Sequence, residues 1–206
     1  VWRAIVSALQ RRYELATADA ESLTIATESP AALNLLFLQL ESLAEMSWTV
    51  QRKDTSGASE VQPQDLDVFT RLAWSPKASA ETKIFSVGTV SCVGMRYRST
   101  SIEAMTACSR FCNGMLVDEA TTVDVRAEAA NSLMDLFDNE AYDETLYVPL
   151  GLHASLTDVL NRVLLPTVKE SKRSNRAQYE KLGEISENLK RFLQYKELHC
   201  PQVKRQ

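Results

Sequence analysis

Cys108 and Cys112 stand four residues apart, a spacing that stacks two thiols on one face of a helix. Two such thiols are half of a tetrahedral metal site, and a thiol beside an imidazole is a nucleophile. Neither chemistry is completed here. The chain has 2 histidines, His153 and His199, and they bring no paired ligand spacing. A nucleophilic pair of Cys108 or Cys112 with His153 lacks a loop to present either group. Both thiols also fall on an apolar stripe of Ile102, Met105, Cys108, Phe111, Cys112 and Met115. Core thiols are the better reading. Cys92 and Cys200 lie in similar surroundings, so all 4 cysteines read as reduced core residues of an intracellular protein rather than a disulfide framework. No glycine-rich phosphate loop appears: Gly88 and Gly94 share one helical stretch and Gly151 is isolated. No catalytic, cofactor-binding or metal-ligating residue is assigned, no cofactor is expected, and the chain reads as a non-enzyme.

The polar residues with more to offer are Asp124, Glu128, Asn131 and Asp135, at i, i+4, i+7 and i+11. On the other face of the same helix Val125, Ala129, Leu133, Leu136 and Phe137 recur at spacings of three and four. A solvated face is the ordinary explanation of such a column. The functional one is that it lines a groove, steers a basic protein and pairs with its Lys and Arg. Small alanines beside Val125 and Arg126 let a second helix approach closely, and Arg126 can reach carboxylates or carbonyls of the next unit. The combination resembles the second helix of a HEAT repeat, a two-helix unit that buries its apolar face by stacking on neighbours.

The elements that position these residues are helices throughout. Trp2 to about Thr27 carries a partial stripe. Ser29-Pro30 opens a helix to about Trp48, with Ser as N-cap and Pro at the first helical position. Residues 52–64 have almost no apolar content and read as a mobile loop. Further helices follow over Leu66–Trp74, Ala78 to about Arg96, Ser101–Leu116, 123 to about 139, and Leu152 to about Val168. A basic loop is expected over 169–176, as a solvated connector, a localisation signal or an RNA contact. A closing helix spans about Ala177–Leu198, with Leu182, Ile185, Leu189, Phe192 and Leu193 buried and Lys181 to Lys196 forming a charged outer face. Strand alternation with hairpin turns is missing. The fold class is all-α: a HEAT-type solenoid of stacked antiparallel helix pairs, right-handed, in a single region over 1–206.

The chain has 206 residues, 45% apolar and 24% charged, an ordinary globular composition with length for a sizeable core. Residues 1–150 hold 12 Lys/Arg against 21 Asp/Glu, a net of −9, whereas 151–206 hold 11 against 6, a net of +5. An acidic body with a basic tail favours a basic protein over nucleic acid as partner. The most apolar run, Ile84 to Met95, is too short and too rich in Ser and Gly to span a membrane. A first residue of Val is expected of a fragment.

The C-terminal third carries a more specific likeness. Asp124-Val125-Arg126-Ala127-Glu128-Ala129-Ala130-Asn131-Ser132-Leu133-Met134-Asp135-Leu136-Phe137-Asp138 is similar to the last repeat of the symportins, the ARM/HEAT-repeat chaperones of 5S-particle ribosomal proteins. Leu182 to Lys196, with its core Asn188-Leu189-Lys190-Arg191-Phe192, looks like that family's closing helix. The likeness covers 122–198, whereas 1–121 resembles the family only in being helical. One departure stands out. The turn aspartate usual five residues before the valine is Ala120 here, with Asp118 and Glu119 nearby, so the turn is expected to be capped differently. The resemblance implies a non-enzymatic adaptor that shuttles between cytoplasm and nucleus. It implies the ribosomal protein uL5 as partner of this region, with uL18 and an importin bound through N-terminal parts that a fragment would lack. The competing reading is another HEAT scaffold, such as a karyopherin-like transport receptor or a complex subunit.

Overall fold

The computed structural model describes residues 66–76, 78–98 and 101–205. The helices expected over 2–27 and 29–48, and the loop over 52–64, lie outside the described residues. Every regular element within them is helical, as the all-α expectation requires. The chain divides into two compact units, Val1–Cys108 and Ser109–Gln206.

In the first unit, α1 (Leu66–Trp74) buries Leu66, Val68, Phe69, Leu72 and Ala73. It stops at Ser75-Pro76, since proline has no N–H to continue the ladder and disfavours helical backbone before it. Ser79 then caps α2 (Ala80–Tyr97), its side chain accepting from the Thr82 N–H at 3.1 Å. The two helices pack together as a hairpin. α3 (Ile102–Val117) runs from the first unit into the second. Met105, Cys108, Phe111, Cys112 and Met115 of its expected stripe are buried, while Ile102 at its start is exposed.

The second unit is built around α4 (Val123–Leu136). Val125, Ala129, Leu133 and Leu136 are buried as expected, and so are Ala127, Ala130 and Met134, so the helix is covered on two sides. A π-helical turn, Asp143–Tyr147, leads to Gly151. There φ is +64°, a left-handed conformation that only glycine adopts cheaply. From it one continuous helix runs in three parts: α5 (Leu152–Val159), a π-helical segment Leu160–Leu164, and α6 (Leu165–Ser174). The widened segment sits just before Pro166, whose missing N–H and bulky ring prevent a regular bond to the carbonyl of Arg162. The helix therefore continues beyond Val168, and residues 169–174 of the expected 169–176 loop are helical. Lys, Glu and Arg are good helix formers, and Lys172 and Arg173 fall in the last turn, where the helix dipole favours positive charge.

Only Asn175 interrupts. Its side chain accepts from the Gln178 N–H at 3.1 Å and so caps the closing helix α7 (Arg176–His199). α6 and α7 form a tight hairpin pair. Lys181, near the start of α7, lies by Asp124 at the start of α4. Lys196, near its end, reaches the Asn139 carbonyl just past the end of α4. The two helices therefore run parallel, with an antiparallel helix belonging to the second pair. That is how successive two-helix units stack.

Candidate protein-binding face

The turn before α4 sets that helix in place. The Asp118 carboxylate accepts from the Ala120 N–H at 3.0 Å, closing a tight turn on itself. The Asp118 carbonyl accepts from the Thr121 hydroxyl at 2.8 Å, and from Nε and Nη2 of Arg126 at 3.1 and 2.8 Å. Asp118 thus closes the turn, and Thr122 caps α4 with its side chain 3.5 Å from the Val125 N–H. Arg126, expected to reach the next unit, instead clamps the turn of its own.

Held this way, α4 shows its polar column along one narrow stripe. Asp124 and Asn131 are half-buried, Glu128 likewise, and Asp135 is exposed. Lys181 of α7 stands 3.9 Å from Asp124, a loose and solvent-exposed ion pair. Burial holds the Glu128 carboxyl above its ordinary range, the Lys181 charge partly offsets this, and Asp135 adds to it. The Asp135 carboxyl is also raised, by partial desolvation and then by Asp138. Carboxylates that are costly to ionise alone are stabilised by an arriving cation. The face is therefore suited chemically to Lys and Arg side chains, and the four expected residues do share it.

Sequence reasoning missed the most heavily buried charge among the described residues. Lys196, expected on the outer face, has no exposed surface. Its ammonium donates to Asp143 Oδ1 at 2.6 Å and to the Asn139 carbonyl at 3.0 Å, and lies 5.4 Å from the ring centres of both Tyr147 and Phe192. A signal existed: Lys196 continues the buried series Leu182, Ser186, Leu189, Leu193 at helical spacing. Ile185 and Phe192, expected in the core, are half-buried. Tyr147 is fully buried between Phe137 and Phe192, at ring separations of 5.5 and 5.9 Å.

The histidine and the thiols take structural places. His153 Nε2 faces Glu197 at 3.5 Å, and Nδ1 lies 3.2 Å from the Tyr147 hydroxyl. Glu197 fixes the proton on Nε2, which leaves Nδ1 to accept from Tyr147. Burial, then Asp143, Cys200 and Glu197, hold that hydroxyl protonated. All four cysteines are free thiols, with Cys108, Cys112 and Cys200 buried and Cys92 half-buried. Burial pushes the Cys108 thiol up to about 12, which makes it unreactive. Among the described residues no group of three or more His, Cys, Asp and Glu could hold a metal ion. Nor is any helix among them long and apolar enough to cross a membrane.

A family model described as SYO1-like, TPR repeats matches residues 15–200. The match extends well before residue 122, into sequence whose only visible likeness to the symportins is its helical character. TPR units, like HEAT units, are helix–turn–helix pairs that gain their core by stacking. Comparison with curated proteins and with solved structures gives no match.

Proposed function

Because the chain belongs to the SYO1-like family of helical-repeat proteins, the symportins, we propose that it is a non-enzymatic adaptor that chaperones a basic ribosomal protein, uL5, for nuclear import and 5S-particle assembly. The family match is the observation that carries this reading. The physical support is the column of Asp124, Glu128, Asn131 and Asp135 on α4. Ribosomal proteins free of rRNA expose basic surfaces that aggregate or bind RNA indiscriminately, and a partly desolvated acidic face can shield such charges until rRNA displaces it. In this reading uL18 and an importin are engaged by other parts of the protein, which shuttles between cytoplasm and nucleus.

The test is capture of recombinant uL5 by this chain at low and high salt. Binding should weaken with salt as the Debye length falls from about 10 Å at 0.1 M to about 3 Å at 1 M. The variant Asp124→Lys/Glu128→Lys/Asp135→Lys should lose the complex while keeping its helix content. A triple variant that binds uL5 as tightly as the parent would make the column an ordinary solvated face. A parent that captures no uL5 would sink the assignment for this region.

A further inference from the structure

α6 and α7 leave an open groove between them. Leu165 and Val168 of α6 and Tyr179, Gly183 and Ser186 of α7 line it, with Glu180, Glu184, Glu187 and Lys190 beside them. On α7 these residues follow helical spacing, so the groove runs along the helix. Gly183 has no evident internal purpose. It lies inside a 24-residue helix, where glycine costs about 1 kcal/mol relative to alanine. Its φ is not left-handed, and a Cβ built on it would meet nothing within 4 Å. Neither backbone strain nor crowding within the unit explains it. What the glycine does provide is room for another molecule to approach the α7 backbone.

We infer that this groove seats an amphipathic helix of a partner protein, apolar on one face and edged with Lys or Arg. A helix in a groove between two helices is a recurrent recognition mode, and Gly183 would be the point of closest approach. Charge selects the occupant. The lining holds three glutamates against one lysine. Glu180 is paired with Arg176 at 2.7 Å and Glu187 with Lys190 at 3.1 Å, while exposed Glu184 carries no ion pair among the described residues. The inference rests on the adaptor reading for its kind of partner and adds a second contact surface to it.

A fluorescent, idealised Leu/Lys amphipathic peptide titrated into the full chain tests this, with a Leu/Glu peptide of the same pattern as control. The parent should bind the Leu/Lys peptide and reject the Leu/Glu one. Gly183→Leu should keep or raise thermal stability yet weaken binding about tenfold or more, equivalent to about 1.4 kcal/mol. Glu184→Lys, at an exposed site, should weaken binding and flatten its salt dependence without touching the fold. A parent that ignores the Leu/Lys peptide, equal binding of both peptides, or Gly183→Leu binding as well as the parent would each overturn the inference. So would a parent dimer that Gly183→Leu dissolves, since the groove would then hold a second copy. Capture of uL5 is measured separately. Its loss with peptide binding intact counts against the adaptor reading alone, and the reverse result counts against the groove alone.

Discussion

Lys196 and Asp143, 53 residues apart in the chain, meet at 2.6 Å with side chains 0% and 5% exposed. The carboxylate uses one oxygen only, and Asp143 Oδ2 is buried without a partner. A buried pair of this kind adds little net stability compared with a well-packed apolar pair, because desolvation offsets the attraction. Its contribution is specificity. A slip of α7 along α4 by even one residue would leave a bare charge in the core.

Removing one partner should be far worse than removing both. Lys196→Met strands the Asp143 carboxylate and should cost about 3–5 kcal/mol. Lys196→Met/Asp143→Leu should cost much less than the sum of the two single changes. Urea unfolding of the four proteins measures the coupling, and strict additivity would show that the pair does not act as a unit.

Acid should weaken the fold through His153. Burial lowers its affinity for protons below the ordinary 6.5, against the opposing pull of Glu197. The unfolded chain then binds the proton more readily than the native one. Stability from this group is complete above 6.5 and is lost as pH falls through the folded value. Thermal unfolding from about one unit above 6.5 to about one and a half units below it should show a decline that His153→Gln flattens. A parallel decline in both proteins would assign the effect elsewhere.

Glu128 has the opposite sign. Its raised carboxyl holds a proton more tightly in the native state, so its stabilising effect is present below 4.5 and is lost as pH rises through the folded value. Glu128→Gln should therefore unfold at a higher temperature than the parent at neutral pH, with the gap closing in acid. The same change should weaken uL5 capture. Gain in stability together with loss of binding would mark a residue kept for its charge.

Gly151 can be tested by its backbone. Alanine at φ +64° should cost about 1–2 kcal/mol, and asparagine less, although nothing lies within 4 Å of an added Cβ. Calorimetry of Gly151→Ala and Gly151→Asn separates this strain from any loss of packing.

Element ends were legible where a single residue decides them. The bounds of α1, Leu66–Trp74 before Ser75-Pro76, and the start of α4 at Val123 were as expected, whereas α4 ends at Leu136 and not near 139. The stripe of α3 and the column of α4 followed directly from helical spacing. Residues 169–174 were misread because they lack apolar periodicity. They stay helical through propensity and through one anchored residue, buried Ser171, whose hydroxyl bonds the Thr167 carbonyl and lies 3.2 Å from Gln178. Lys196 was misread because charge outweighed phase: its position fitted the buried face, but its compensating groups lie far away in sequence. The π-helical turn Asp143–Tyr147 left no local pattern to read, since the pairing of Asp143 with α7 is a tertiary contact.

The widened turn at Leu160–Leu164 works as a phase shifter. A π segment fits one residue more into a turn than an α-helix does, so everything after it is rotated by about 100° relative to an unbroken helix. Leu152, Leu156 and Val159 face the core on one phase, while Leu165 and Val168 meet α7 on another. All three parts of the rod thereby keep their contact with α7. Deleting one residue here would leave composition and helix content almost unchanged, yet it would swing Leu165 and Val168 off the groove wall and turn charged neighbours toward it.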